Sequence, residues 1–458
     1  MSIGGPSSLR FESFLFIIHS LFPAQNVTLE TFLDKVEQGF PKLRAAQNAV
    51  EIAAAKSKEK RGAFDPVLMV DTSALRYNSS STRGKALSTQ MLETTVEQTT
   101  RSGAKVFAGS RLNFGSVKSP GSSTGELGEY FVGVKLPLLR GNGVNQKSIA
   151  EAVAKLEFGQ ATEEARLIRL NVRLKASEAF WEWVAARERR EIAARLLNIA
   201  KVRADGIRER YERGDLPKID TVEAETEVRR REGGLVKAER DIEKTLLKLN
   251  VFLWNGPIGT PGSLPKPALP TAEELEAAFS RAVAQRPEAR IISAETKVIE
   301  QSLALAKNER RPSLDVVVSP GIDTGRNSVG ATVKAGVFYS IPLRQQTADG
   351  QIEQAQQKLE KIRQDEALLK REIETEVQDA TSALRRAYER VQANVAELEL
   401  AQQLELGELI RFQEGDGTLF LLNQRERGTA ETAARLVDVI AEFHIAKAAL
   451  RAAEGGLN

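Results

Sequence analysis

Apolar positions along this chain follow two different periods, arranged in blocks. From Val144 to about Arg213 they recur at helical spacing, as in Leu167, Leu170 and Leu174, then Ala179, Phe180, Trp183 and Val184, and no proline interrupts the stretch. At ~1.5 Å per residue, such a helix would extend roughly 100 Å. A return helix is predicted from Asp220 to about Leu253, and a second pair over Asp349–Phe412 and Leu419–Ala453. Rods of this length, rich in Ala, Glu, Arg and Gln, predict antiparallel coiled-coil packing, with the charges off the apolar stripe forming a solvated face. A globular core has no use for them.

Elsewhere the period is two. In Glu129–Pro137, Tyr130, Val132, Val134 and Leu136 share one face, and Phe131, Gly133 and Lys135 the other. In Val329–Pro342, Val329, Ala331, Val333, Ala335, Val337, Tyr339 and Ile341 alternate with Gly330, Thr332, Lys334, Gly336, Phe338 and Ser340. Tilted membrane strands need about 9–11 such residues. The alternation alone equally fits a half-buried sheet in a soluble domain, and only the long helices beside it favour a membrane barrel.

The chain also contains itself twice. FPKLRAAQNAVEIAAAKSKEKRGAFDPVLMV around Pro41 resembles RPEARIISAETKVIEQSLALAKNERRPSLDVVV around Pro287, and Pro41–Pro66 and Pro287–Pro312 are both 25 residues apart. Val134-Lys135-Leu136-Pro137-Leu138 pairs with Tyr339-Ser340-Ile341-Pro342-Leu343, and Arg210-Tyr211-Glu212-Arg213-Gly214 with Arg411-Phe412-Gln413-Glu414-Gly415. Four landmarks in one order with near-equal spacing mark a duplicated unit. Each unit reads as a leading helix (28–62, 271–310), strands, and a long helical hairpin. Pro66 and Pro312 fit the first residue of a strand, where no ladder donor is needed. The copies differ in that Pro66 to Pro137 spans 71 residues and Pro312 to Pro342 only 30. The excess holds an added hairpin, Glu93–Arg101 and Lys105–Phe114, turning at Ser102-Gly103. Ser79–Lys85 and Lys118–Gly128 read as loops.

The expected fold is therefore α+β, mainly α. Residues 1–27 are a signal peptide or a disordered N-terminus, 28–253 the first repeat, 254–270 a Gly/Pro-rich linker and 271–458 the second repeat. Phe14–Phe22 would be the apolar core of the signal, with cleavage near Ala24. Four strands, or six with the added hairpin, cannot close a membrane barrel, and an open edge in hydrocarbon leaves backbone groups unsatisfied. Several chains must share one barrel. Three would supply 12 strands or 18.

Composition narrows the alternatives. No run of 18 apolar residues exists, which excludes a helical span but not a barrel. The formal charge of +3 comes from 65 basic and 62 acidic residues interleaved along the chain, so no basic block for nucleic acid stands out. Absence of cysteine removes disulfides and thiolate metal sites, and with only His19 and His444 no metal site or cofactor is expected. Gly141-Asn142-Gly143 follows a strand and opens a helix, but Gln146 stands where a dinucleotide loop needs its third glycine. No nucleophile elbow or phosphate loop appears, so no enzyme is expected.

The ordered motifs resemble the TolC family of outer-membrane efflux proteins over about residues 28–456. They are Pro41 and Pro287 with their Ala-rich helices, and Leu136-Pro137-Leu138-Leu139-Arg140-Gly141 with Ile341-Pro342-Leu343. To these add Arg213-Gly214 through Asp220, and Glu414-Gly415 through Gln424. The resemblance implies a homotrimer with a 12-strand outer-membrane barrel, embedded in lipid, on a periplasmic α-barrel. It also implies a passive export conduit docking to a periplasmic membrane-fusion adaptor and an inner-membrane pump of RND, ABC or MFS type. Gly214, Asp215, Leu216, Gly415, Asp416 and Gly417 would form the periplasmic tip where the adaptor docks. Pro137, Arg140, Gly141 and Pro342 would mark the barrel-to-helix junction. Gate positions would be Asp220, Tyr211, Phe412, Leu421 and Gln424. Leu421 and Gln424 stand where the family places constricting aspartates, and Phe412 lacks the hydroxyl for an aromatic-to-aspartate bond. Closure by apolar packing is therefore expected. The rival reading is a soluble or periplasmic coiled-coil scaffold or adaptor.

Overall fold

The computed structural model describes residues 27–78, 84, 86–117, 123–254, 256 and 259–456. The expected signal segment 1–27 lies outside them apart from Val27, as do residues 79–83, 85 and 118–122 of the two expected loops. Nine α-helices, one short 3-10 turn (Gly62–Phe64) and six strands are seen among the described residues. The helices are α1 (Leu29–Gly39), α2 (Pro41–Arg61), α3 (Gln146–Glu212), α4 (Lys218–Asn250), α5 (Ala272–Glu276), α6 (Ala278–Gln285), α7 (Pro287–Glu309), α8 (Gln346–Glu414) and α9 (Leu419–Ala453). The strands are β1 (Val67–Asn78), β2 (Ala86–Thr99), β3 (Lys105–Gly115), β4 (Gly128–Pro137), β5 (Ser313–Thr324) and β6 (Ala331–Ser340).

Both leading helices are broken where the sequence reading ran them through. Proline cannot donate to the preceding turn and pushes its predecessor out of the helical region. Phe40 (ψ 120°) and Arg286 (ψ 130°) are extended accordingly, and Pro41 and Pro287 begin new helices. Thr28 and Thr271 cap α1 and α5 with reciprocal capping boxes. Pro66 and Pro312 stand immediately before β1 and β5 rather than inside them.

The chain divides into two compact units. One holds, of the described residues, 27–44, 167–286 and 372–456. Its helices pair antiparallel: Arg208–Glu225 (3.5 Å), Lys201–Glu232 (3.5 Å) and Lys248–Glu182 (2.7 Å) run in opposite order along α3 and α4. Arg435–Glu397 (2.6 Å) and Arg390–Glu442 do the same for α8 and α9. These exposed pairs set register more than stability, each being worth about 0–1 kcal/mol. Stability comes from a core in which Phe32 stacks on Phe180 (5.5 Å between ring centroids) beside Trp183, Val184 and Leu249. His444 stacks on Trp181 (4.5 Å) and shares a hydrogen bond with the Pro265 carbonyl at 2.9 Å, so it is a packed residue. Burial lowers its pKa and keeps the ring neutral, and the bond to Pro265 opposes this only in part.

The other unit holds residues 45–166 and 287–371 among those described. It contains a single antiparallel sheet in the order β1-β2-β3-β4-β5-β6. The added hairpin, β2 and β3, lies inside this sheet between β1 and β4. The sheet of this chain therefore has six strands among the described residues, two more than a four-strand share of the 12 that the resemblance implied. β2 also begins at Ala86, seven residues earlier than expected; its first five residues, Ala86–Gln90, place two apolar residues before three polar ones and so carry no alternation to mark a strand.

Candidate functional site

Directly opposed residues in an antiparallel sheet point to the same face, so the register assigns every side chain. Leu68, Val96, Ala108 and Val132 form one row; Val134, Val318 and Ala335 form another on the same face. Of the eleven charged residues in the six strands, ten lie on the opposite face and only Arg76 shares the apolar one. On the polar face the charges pair across strands: Lys105–Glu97 (2.7 Å), Arg111–Glu93 (3.0 Å), Arg111–Glu129 (3.2 Å) and Lys135–Asp315 (3.0 Å). The apolar face is open, with Val132 58%, Val337 69% and Val333 74% exposed. A soluble sheet buries that face. Here nothing among the described residues covers it.

Backbone pairing is protected even at Pro320, in the interior strand β5. Proline offers no N–H to the opposed Val132 carbonyl, and the Ser319 hydroxyl donates to that carbonyl at 3.0 Å instead. Among the described strands, only β1 and β6 leave an outer edge unpaired.

At the junction, Pro137 ends β4 opposite Asp315, and the ladder continues through Leu138 N–H to the Leu314 carbonyl (2.7 Å) and Arg140 N–H to the Pro312 carbonyl (3.2 Å). Gly141 turns the chain at φ +89°, and its N–H donates to the Asn308 side-chain oxygen at 2.8 Å. Asn308, 5% exposed, was not singled out from sequence. Arg140 lies 4.0 Å from Glu309, and Pro342 borders the same groove.

Both helix hairpins end in the same way. Gly214 N–H bonds to the Tyr211 carbonyl and Asp215 N–H to Arg210; Gly415 N–H bonds to Phe412 and Asp416 N–H to Arg411. These are two Schellman turns, with the glycines at φ +81° and +88°. Space around either glycine is open, so only the backbone demands it, whereas a Cβ at Gly417 would meet the Phe412 nitrogen at 2.8 Å. Gly214→Ala or Gly415→Ala should cost about 1–3 kcal/mol, read as a lowered thermal midpoint. An unchanged midpoint would show that the turns relax freely.

Among the expected gate residues, Phe412 and Leu216 pack on a small apolar cluster of Ala204, Ile207, Ala224 and Leu419. Leu421 and Asp220 are half-buried outside it, Tyr211 is 40% exposed, and Gln424 is exposed beside Leu400, Leu404 and Phe420. The residues nearest in sequence that do pack are Leu419 and the fully buried Leu422.

No protein-family model and no curated protein sequence matches the chain. Solved structures do. A membrane protein from Pseudomonas aeruginosa is similar at 16% identity, over 93% of this chain and 90% of that one, with a TM-score of 0.69. The outer membrane protein VceC from Vibrio cholerae is similar at 15% identity over 93% and 96%, with a TM-score of 0.67. The open-state MtrE outer membrane channel of Neisseria gonorrhoeae matches at 16% identity over 93% and 89%, with a TM-score of 0.66. The chain shares the fold of these outer-membrane channels.

This channel fold contains one cluster that the sequence reading assigned to solvated surface. Arg203 of α3, Glu227 and Arg231 of α4, and Asn423 and Glu426 of α9 meet between helices, with the Arg231, Glu227 and Glu426 side chains 2%, 6% and 4% exposed. Arg231 bonds Glu227 (3.0 Å), Glu426 (2.8 Å) and the Leu196 carbonyl (2.8 Å). Arg203 bonds Glu426 and, at 3.0 Å, Asn423. Burial alone would raise the Glu426 pKa, but the two guanidiniums outweigh it and hold the carboxyl below its ordinary value. Glu223, which faces the cluster from α4, is raised by burial and by Asp220, against a hydrogen bond to Asn423.

Proposed function

We propose that this chain is one protomer of a homotrimeric outer-membrane channel, a passive export conduit working with a periplasmic adaptor and an inner-membrane pump in efflux or type I secretion. The observation that carries the reading is the sheet. Its one face is apolar and uncovered, its other face holds paired charges, and both of its edges are open. Hydrocarbon suits the first face, water the second, and sister chains the edges. Long antiparallel helix pairs are the element from which a periplasmic tube can be built. The matching landmarks and the identical Schellman turns favour descent of the two halves from one duplicated unit.

In this reading Gly214, Asp215, Leu216, Gly415, Asp416 and Gly417 form the tip that meets the adaptor. Phe412, packed with Leu216 and Leu419, holds the tip shut, while the half-buried Leu421 lies outside that cluster. Phe412→Ala, and more weakly Leu421→Ala, should raise single-channel conductance in planar bilayers. Conductance identical to the parent chain would remove apolar packing as the closing element. No enzymatic step is invoked.

A further inference from the structure

We propose that the β2–β3 hairpin is a structural part of the membrane wall, so that three chains close on 18 strands and enclose a lumen wide enough for bulkier hydrophilic cargo than 12 strands would pass. This rests on the trimeric-channel reading above.

The hairpin occupies the second and third places of six. β1 reaches β4 only through it, with every residue of Val67–Asn78 registered against β2. Its faces match those of the neighbours: Val96, Val106 and Ala108 continue the apolar surface, while Glu93, Glu97, Lys105 and Arg111 continue the polar one. A plug or an external projection would not keep this segregation in register with β4.

The hairpin is also keyed in at both levels. The Phe107 ring lies over Gly133 of β4, where a Cβ would meet it at 2.3 Å, and packs edge-on to Phe131 at 6.2 Å. This is an aromatic ring covering a strand glycine. At the helix end, the turn seats on the start of α3. Gly143 N–H donates to the Ser102 carbonyl (2.9 Å), the Asn145 amide to the Arg101 carbonyl (3.0 Å), and Arg101 makes two bonds to Glu151 (2.8 and 2.7 Å). Gly103, at φ +92°, has no room for a Cβ, which would fall 2.2 Å from the Gly141 carbonyl.

With strands about 4.8 Å apart and tilted about 40°, 18 strands enclose a backbone circle roughly 36 Å across, against roughly 24 Å for 12. The chain has no cysteine, so single thiols report cleanly. Val96→Cys, Val106→Cys, Val132→Cys and Val333→Cys, each carrying a bimane label, would be reconstituted as full-length protein in vesicles containing brominated lipid. Met91→Cys would serve as the polar-face control. Wall membership predicts equal lipid quenching at all four valine positions and none at Met91. Quenching at Val132 and Val333 but not at Val96 and Val106 would expel the hairpin from the wall and leave the channel reading standing. Loss of quenching at all four would remove both. Poly(ethylene glycol) added on the side of the strand loops should partition at sizes that a 12-strand lumen excludes; exclusion at the narrower limit would overturn the wider lumen.

Discussion

Val132→Arg and Val333→Arg are each expected to destabilise the protein in a bilayer by about 2–4 kcal/mol, the cost of a guanidinium on the lipid face near the midplane. Both valines are open in the single chain, and an arginine there would be harmless in water. Ser73→Arg provides the contrast, because Ser73 lies on the polar face with Asp71 two residues away. It should change stability by no more than about 0.5 kcal/mol. Denaturant unfolding from vesicles reads all three. If Val132→Arg and Ser73→Arg behave alike, the apolar face does not meet lipid.

Arg231→Ala should cost about 3–5 kcal/mol, because it removes the guanidinium that the buried Glu227 and Glu426 share, leaving Glu426 to Arg203 and Glu227 to the more exposed Arg230. The exposed pair Arg229–Glu232 is the control, Arg229 being 81% exposed, and Arg229→Ala should be near neutral. Replacing the network as a whole, as in Arg203→Met, Glu227→Leu, Arg231→Met and Glu426→Leu together, should recover much of the loss, since well-packed apolar groups often equal a buried ionic cluster. Equal thermal midpoints for Arg231→Ala and Arg229→Ala would contradict the buried-network account. Acid offers an independent check with a definite sign. Glu426 has a depressed folded-state pKa, so its contribution is present above the unfolded carboxylate value of about 4.3 and is lost as pH falls from there through the folded value. Helix-pair stability should therefore decline in that acid window, and Glu426→Gln should flatten the decline.

How far the sequence carried the account follows from which signals are local. The helices α3, α4, α8 and α9 were readable because an unbroken 3.6 period over tens of residues has few other interpretations. α9 was located to its end residues, while the others differ by a few. The breaks at Phe40 and Arg286 were also written locally, in Pro41 and Pro287, but proline is welcome at a first helical position and so resembled an opening rather than an interruption. β4 and β6 alternate cleanly and were found. The start of β2, Ala86-Leu87-Ser88-Thr89-Gln90, takes its strand character from pairing with β1 and β3 and has little of its own.

The site residues divide in the same way. Gly214 and Gly415 announce their turns because only a positive φ ends those helices as observed. The cluster of Arg203, Arg231 and Glu426 has no local signature, since its members come from three helices and look like ordinary surface charges until those helices pack. Asn308 capping Gly141 is equally non-local. The family pattern pointed to Leu421, whereas the apolar cluster at the hairpin end brings Leu419 together with Phe412.

Cryo-electron microscopy of the full-length protein in lipid nanodiscs tests the central claim most directly. The account predicts three chains about one axis, with β6 of each hydrogen-bonded to β1 of the next, valines 132 and 333 facing lipid, and a solvent-filled interior lined by the paired charges. Lone chains whose valine-rich surface folds against protein, leaving no passage, would contradict it.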